Sequence, residues 1–161
     1  MVLITHDMAV IRQACDRVLV LEDTVELQCA ARDHVPLRTR AGVVSMTELV
    51  RSSMRLRPDR VIVGEVRGAE ALDLIKVWGT GHPGGIATIH AGSALGALLR
   101  LEQLILEVAE NPPRALIAEA VNVVIHIAGR GRKRRIESIA RVVGFDGAGY
   151  QLADALEAPF P

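Results

Sequence analysis

Short apolar runs alternate with amphipathic segments along most of the chain. The runs that predict strands are MVLIT, RVLVLE, RVIVGE, GIATIH and NVVIHIA, each a few residues long and rich in β-branched side chains. Strands that alternate with helices usually pair in parallel and are buried on both faces. The pattern therefore predicts an α/β fold with a mainly parallel sheet.

The segments between these runs predict four helices. Ser45 and Glu48 have the spacing of a capping box and begin the first helix, which Pro58 ends. The second ends at Gly79 and the third begins near Ser93, with Leu98, Leu101, Ile105 and Val108 expected on one buried face. The fourth follows two prolines.

Two hairpins complete the predicted elements. RRIESIARVVGF and YQLADAL flank an Asp-Gly turn and predict a terminal β-hairpin. A second hairpin is predicted within ELQCAARDHVPLRT.

Composition excludes several classes of function. The 161 residues suit one domain, and 19 basic against 19 acidic side chains give no net charge to attract nucleic acid or membrane. Two cysteines form no metal or disulfide pattern, which fits the cytoplasm. No apolar run approaches the ~20 residues of a membrane span. Any membrane role is therefore expected to work through partners.

Polar side chains follow four of the predicted strands. Ligands of open parallel sheets bind beyond the carboxyl ends of the strands, so these side chains predict one crevice. The alternative is that strands simply stop where polar loops begin. The four groups are Thr5-His6-Asp7, Glu22-Asp23-Thr24, Glu65 and His90.

The carboxylates at these ends suit phosphoryl transfer. Glu65 could hold a magnesium-bound water or orient the attacking water. Glu22 and Asp23, with Glu26 nearby, could supply a second acidic group. The alternatives are capping of the next element or pairing with Arg57, Arg60 or Arg67.

The segment GTGHPGGIATIHAGS places two histidines around a strand among five glycines, which permit close backbone approach. His82 and His90 could each contact a phosphate. We interpret His34 and His126 as ordinary surface or core residues. His82 and His90 do not predict a metal site, because no third ligand has a suitable spacing.

Three segments resemble the motifs of a known family. LEDTVEL, RPDRVIVGEVRG and TGHPGGIATIHA are similar to the Asp box, Walker B box and His box of the secretion traffic ATPases, the hexameric ATPases of type II and type IV secretion. EDTVELQCAA and SMTELVRSSMRLRPDRVIVGEVRG resemble the TrbB-type conjugal transfer branch in particular. The resemblance runs from about residue 17 to 156.

The resemblance implies a RecA-like P-loop NTPase core, present as a single partial domain over residues 1–161, that hydrolyses ATP with Mg²⁺. It also implies a homo-oligomer, a hexamer, that is cytoplasmic and held at the inner membrane by partners of the secretion or conjugation apparatus. Arg55 or Arg57 would assist a neighbouring subunit's site. The implied catalytic residues are Glu65, Glu22, His90 and His82, and the implied nucleotide and magnesium residues are Asp23, Glu26, Glu65 and His6.

The chain departs from the family at its start. The family has an N-terminal domain and a phosphate loop of the form GxxxxGKS/T before the Asp box, whereas this sequence contains no Gly-Lys pair. Residues 1–20 resemble instead the end of an ABC-transporter ATPase domain, in which the counterpart of His6 would contact the γ-phosphate. MVLIT could occupy the sheet position of the missing phosphate-loop strand.

Three functions follow as alternatives. The first is a motor domain of type IV secretion, impaired because the phosphate loop is absent. The second is a catalytically inactive fragment that mediates oligomerisation or regulation. The third, nucleic-acid binding, depends only on RGRKRR, which is better interpreted as a solvated turn, because no aromatic residue accompanies it.

Overall fold

The computed structural model describes residues 17–80 and 84–155. The described helices are α1 (Met46–Ser53), α2 (Glu70–Gly79), α3 (Ala94–Ile105) and α4 (Arg114–Ala120), with 3₁₀ turns at Met54–Leu56 and Gly131–Lys133. The described strands are β1 (Arg17–Glu22), β2 (Asp33–Arg38), β3 (Arg60–Val63), β4 (Ile86–Ala87), β5 (Val123–Ala128), β6 (Arg135–Phe145) and β7 (Tyr150–Asp154).

A parallel sheet forms the first half of the described chain. Its strands lie in the order β2-β1-β3-β4, and every neighbouring pair is parallel. β1 and β3 are central and buried on both faces, which explains their continuous apolar runs. The predicted α/β fold with a parallel sheet and a terminal hairpin is confirmed, since β6 and β7 pair antiparallel around Asp146 and Gly147.

The second predicted hairpin is wrong. Residues 26–31 form no strand, and β2 pairs parallel with β1. The physical reason is the turn that follows β1, where a carboxylate oxygen of Glu22 accepts the backbone N–H groups of Glu26 and Leu27. The loop then returns the chain to the start of β1, where Arg17 Nε lies 2.8 Å from Asp33 Oδ2.

The strand predicted from NVVIHIA does not join the parallel sheet. It is β5, the first strand of an antiparallel sheet in the order β5-β6-β7. A short turn containing the exposed RGRKRR residues connects β5 to β6, and such a connection allows only antiparallel pairing. Only Val124 of β5 is fully buried, as expected for a half-exposed antiparallel strand.

One hydrophobic core joins the two sheets. It contains Leu19 and Val63 of the parallel sheet and Val124 and Val142 of the antiparallel sheet, with the buried faces of all four α-helices packed among them. The buried face predicted for α3 is correct except at Val108, which follows the end of the helix and is 53% exposed. None of the helices in ranges 17–80 and 84–155 is long and apolar enough to cross a bilayer.

The capping box at the start of α1 is confirmed. Ser45 Oγ accepts the backbone N–H of Glu48 at 3.2 Å, and the Glu48 carboxylate accepts the backbone N–H of Ser45 at 2.7 Å. We expect Ser45→Ala to lower the free energy of unfolding by about 1 kcal/mol, because the helix loses its side-chain cap. Urea denaturation measures this. Ser52→Ala, at an exposed position of the same helix, is the control; an equal loss from both variants would contradict the role of the cap.

Candidate active site at the carboxyl edge of the parallel sheet

Glu22 and Glu65 follow neighbouring strands and reach the same edge of the sheet. Leu21 of β1 is in register with Val63 of β3, and the Gly64 N–H donates to the Leu21 carbonyl at 2.9 Å. A Cβ on Gly64 would lie 3.4 Å from Glu22 Cγ. The Glu22 side chain therefore lies against the backbone directly before Glu65, at a distance that leaves room for ordinary contact with a Cβ at position 64.

Glu65 contacts two basic side chains. Arg67 Nη2 donates to Glu65 Oε2 at 2.5 Å, and His90 Nε2 lies 3.3 Å from Glu65 Oε1. The Glu65 side chain is 21% exposed. The hydrogen bond from Arg67 lowers the pKa of Glu65, against the opposing effect of burial. Glu65 is thus held ionised beside the imidazole of His90.

Arg67 lies among several acids. Its pKa is raised first by the hydrogen bond and charge of Glu65, and at longer range by the charges of Asp23 and Glu26. Asp23 also accepts the Thr39 hydroxyl at 2.7 Å. Arg67 is therefore paired with Glu65, which follows β3, and lies within electrostatic range of Asp23 and Glu26, which follow β1.

Thr88 positions His90 next to Glu65. The Thr88 hydroxyl donates to the Gly64 carbonyl at 2.6 Å, and the Thr88 carbonyl accepts the Val66 N–H at 2.9 Å. These bonds continue the contact between β3 and β4 beyond the end of β4. His90, two residues after Thr88, therefore meets Glu65, two residues after Val63. Thr88 was not predicted from the sequence, although a hydroxyl two residues before a candidate histidine in the predicted strand GIATIH was an available signal.

Glu22 has a structural role in the described contacts. Its side chain is buried, and Oε1 accepts backbone N–H groups from Glu26 at 2.9 Å and Leu27 at 2.8 Å. The same bonds fix where Glu26 lies. A direct catalytic part for Glu22 stays a prediction.

His6 and His82 lie outside the described residues, and their predicted roles stay predictions. Arg57 precedes β3, at the opposite end of the strand from Glu65, and has φ +52. Its predicted action on a neighbouring site stays a prediction, as does that of Arg55.

The described residues do not form a complete site for magnesium and ATP. Within ranges 17–80 and 84–155 no group of three or more His, Cys, Asp or Glu side chains is arranged to hold a metal ion. Glu65 is paired with Arg67, Glu22 is bonded to backbone, and the sequence has no Gly-Lys pair to hold phosphates. What the cluster offers is an ionised carboxylate and a histidine at hydrogen-bonding distance.

We expect Arg67→Gln to raise the pKa of Glu65 towards its ordinary value, because the largest cause of its lowering is removed. A carboxyl group whose pKa is lowered in the folded protein stabilises the fold at pH values above its ordinary pKa. This stabilisation is lost as the pH falls through the lowered pKa. The variant should therefore be less stable than the parent chain near neutral pH, and its free energy of unfolding should depend less on pH in the acid range. Carbon-detected NMR titration of Glu65 measures the shift. Arg51→Gln, which breaks the distant pair with Asp73, should leave the Glu65 titration unchanged; an unmoved Glu65 in Arg67→Gln would refute the assignment.

Comparisons with known proteins agree on one family. The model of the family described as type II/IV secretion system protein matches residues 2–138. That match includes residues 2–16, for which the resemblance to an ABC-transporter ATPase stays a prediction. The conjugal transfer protein TrbB of Rhizobium radiobacter is 48% identical over 136 residues, which cover 84% of this chain and 42% of TrbB. The type IV secretion system protein PtlH of Bordetella pertussis is 35% identical over 140 residues, covering 77% and 41% of the two chains.

Solved structures show the same fold. The crystal structure of the VirB11 ATPase from the Brucella suis type IV secretion system in complex with sulphate has a TM-score of 0.70 and 31% identity, and the match covers 78% of this chain and 40% of that one. The pilus retraction motor PilT with bound ADP has a TM-score of 0.61 at 19% identity, over 91% of this chain and 41% of PilT, which is a likeness of fold alone. The chain thus spans about two fifths of the length of the relatives that it matches.

Proposed function

Because the chain belongs to the family of type II/IV secretion system proteins, we propose that it is the motor region of a conjugal transfer ATPase of type IV secretion. The observation that supports this best is the contact of Glu65 with both Arg67 and His90 at the carboxyl edge of the sheet. The substrate is ATP with Mg²⁺, and the working form is a hexamer. It acts at the cytoplasmic face of the inner membrane, where partners of the conjugation apparatus hold it.

In this proposal the ionised Glu65 orients the water that attacks the terminal phosphate. A carboxylate with a lowered pKa is a weak base but a good hydrogen-bond acceptor, which suits orientation of a nucleophile more than proton abstraction. His90 contacts the other oxygen of the same carboxylate and is 77% exposed, so it can also face a phosphate. Arg67 must release Glu65 for this to happen, and the acids Asp23 and Glu26 are placed to receive it.

The alternative is a catalytically inactive fragment that mediates oligomerisation or regulation. The lack of a Gly-Lys pair favours it for this polypeptide, since the backbone N–H groups and the lysine of a phosphate loop bind the phosphates of the nucleotide. An exposed apolar stripe also favours it, because such surfaces mark interfaces between subunits. The stripe consists of Leu95 and Leu99 of α3 and Leu106, which directly follows the helix; they are 44%, 45% and 49% exposed.

We expect the chain to self-associate through this leucine stripe. Light scattering at tens of micromolar should give a mass that rises with concentration, and Leu99→Glu should abolish the rise, because a charge would have to be buried at the interface. The control is Val143→Glu, which places the same charge at an exposed apolar position of β6. A monomer at every concentration would contradict the expected association, and equal effects of both variants would place the interface elsewhere.

A chimaera separates the two functions. Residues 17–138 would replace the matching segment of TrbB from Rhizobium radiobacter. The chimaera then combines the carboxyl edge of this chain's parallel sheet with the remaining parts of TrbB. The motor proposal expects ATP hydrolysis by the purified chimaera and conjugal transfer in a strain that lacks its own TrbB. Glu65→Gln should abolish both, because the amide cannot act as an ionised acceptor.

The matched control is Glu137→Gln in β6, whose carboxylate pairs with His126 and Arg135 away from the edge. It should leave both activities intact. A folded, oligomeric chimaera that neither hydrolyses ATP nor supports transfer would favour the inactive fragment. Activity that survives Glu65→Gln would refute the role proposed for Glu65.

A further inference from the structure

Three consecutive backbone N–H groups hold the turn between β3 and α2. The Val66 N–H donates to the Thr88 carbonyl at 2.9 Å. The N–H groups of Arg67 and Gly68 both donate to Oε1 of Glu70, at 2.7 and 2.9 Å. The turn is therefore tied on one side to the segment that follows β4 and on the other side to the first residue of α2.

Glu70 carries a buried carboxyl group in the first turn of α2. The residue is 8% exposed, and burial of a carboxylate is costly unless hydrogen bonds replace its hydration. The two backbone bonds replace it. They also complete the start of α2, because Ala69 at the cap position makes no side-chain hydrogen bond and a carboxylate is favoured near the positive end of a helix. Glu70 thus joins α2 to the turn that carries Glu65 and Arg67.

The neighbouring loop of the candidate site is held in the same way. Oε1 of Glu22 accepts the N–H groups of Glu26 and Leu27, which are again two consecutive residues. At each of the two central strands, one oxygen of a buried glutamate therefore binds two successive backbone N–H groups. These bonds fix the backbone from which the other acidic side chains of the edge project.

We propose that Glu70 is a positioning residue of the candidate site, which holds the backbone of Arg67 so that its guanidinium reaches Glu65. An arginine two residues from a carboxylate has many conformations in which the two groups do not meet, and a fixed backbone removes most of them. Among the described residues Glu70 bonds to the backbone of Arg67 and Gly68, and to neither Glu65 nor His90. It therefore acts through the turn and touches no reacting group.

The consequence for hydrolysis rests on the function proposed above. Arg67 must leave Glu65 before the carboxylate can orient a water, and the guanidinium can swing about its side-chain bonds while the backbone stays in place. With the turn tied to Glu70, Glu65 keeps its position at the edge during this exchange. Loosening the turn displaces Glu65, and even a small displacement of a catalytic group is costly in rate.

NMR of the 161-residue chain tests whether Glu70 holds Arg67. In Glu70→Ala, the amide hydrogens of Arg67 and Gly68 should exchange at least about tenfold faster, because each loses a hydrogen bond to a carboxylate. The Arg67 Nε–H group should also lose its heteronuclear NOE, because the side chain is no longer held at Glu65. Glu70→Gln should restore most of both signals, because its amide oxygen can still accept the two N–H groups.

Glu48→Ala is the matched control for this measurement. Glu48 also lies in the first turn of a helix and accepts a backbone N–H, from Ser45 at 2.7 Å, but that helix is α1. Its loss should destabilise α1 and leave the Arg67 signals unchanged. If Glu70→Ala does not fold, Glu70→Asp decides, since the shorter side chain keeps the charge but should not reach the two N–H groups. Unchanged Arg67 signals in the folded Glu70 variant, or an equal change in Glu48→Ala, would overturn the proposal.

The TrbB chimaera tests the effect on catalysis. There, Glu70→Ala or Glu70→Asp should lower kcat for ATP hydrolysis by about tenfold or more and leave KM for ATP within about twofold, as expected for a residue that acts through the placement of Glu65. Glu70→Gln and Glu48→Ala should keep kcat near that of the parent chimaera. An unchanged kcat in Glu70→Ala and Glu70→Asp, or a raised KM alone, would overturn the catalytic consequence. A parent chimaera that hydrolyses no ATP would count against the proposed function, and the NMR comparison would still decide whether Glu70 holds Arg67.

Discussion

Calorimetry of the 161-residue chain with magnesium and ATP is expected to show no binding tighter than about 1 mM, and no turnover. A phosphate loop contributes several backbone N–H groups, a helix N-terminus and a lysine to the phosphates of a nucleotide. Such charge-assisted hydrogen bonds are worth about 1.5–3 kcal/mol each, so losing three or four removes roughly 5 kcal/mol or more. A micromolar site then falls to the millimolar range, since every 1.4 kcal/mol or so is tenfold in affinity.

The acids at the edge add to this loss. Glu65, Asp23 and Glu26 repel a triphosphate when no lysine offsets their charge, and Arg67 is already paired with Glu65. A dissociation constant below about 10 μM that Glu65→Gln or His6→Ala abolishes would overturn the prediction. It would mean that Thr5-His6-Asp7 has built a working site. Glu137→Gln, far from the edge in β6, is the control for non-specific effects of lost charge.

Gly85→Ala is expected to lower the free energy of unfolding by about 1–3 kcal/mol, the usual cost of overpacking. A Cβ on Gly85 would overlap the indole nitrogen of Trp78, and the ring is held between the Gly85 backbone and the core. Urea denaturation followed by circular dichroism measures the loss.

Gly92→Ala is the matched control. The same methyl group at Gly92 meets nothing within 4 Å, and its backbone φ lies outside the left-handed region. This variant should keep the stability of the parent chain within about 0.5 kcal/mol. If both glycine variants were equally stable, the close packing of Trp78 against β4 would be wrong.

Local patterns sufficed to predict many of the elements. The spacing of Ser45 and Glu48, the stop at Gly79 and the Asp146-Gly147 turn each depend on contacts within a few residues, and the structure has all three. The direction in which β2 pairs, and the sheet to which β5 belongs, depend instead on residues that are distant in the sequence. A strand such as β2, in which half-buried and exposed residues alternate, can pair with its neighbour in either direction. The turn that fixes the direction is held by Glu22, whose side chain was predicted to belong to the candidate site.

The candidate site was recognisable in outline because strand ends gather at one edge. Sequence placed Glu65 and His90 together, and their side chains do meet. It left open whether Arg67 pairs with Glu65, because an arginine two residues away can equally extend into solvent. The burial of Glu22 against Gly64 was not predictable, since it follows from the pairing of β1 with β3.

The common core of the two sheets has a consequence for how the protein unfolds. Val124 and Val142 pack in the same cluster as Leu19 and Val63, so the antiparallel sheet has no separate apolar cluster among the described residues, whereas the parallel sheet has a second, smaller one around Val18, Val20 and Ile62. Hydrogen exchange should therefore protect the amides of β5 and β6 with the same opening free energy as those of β1 and β3, in one cooperative unit. A cut in the exposed loop before α4 would divide the larger cluster between the two fragments, so the fragment that carries β5 to β7 should not stay folded by itself.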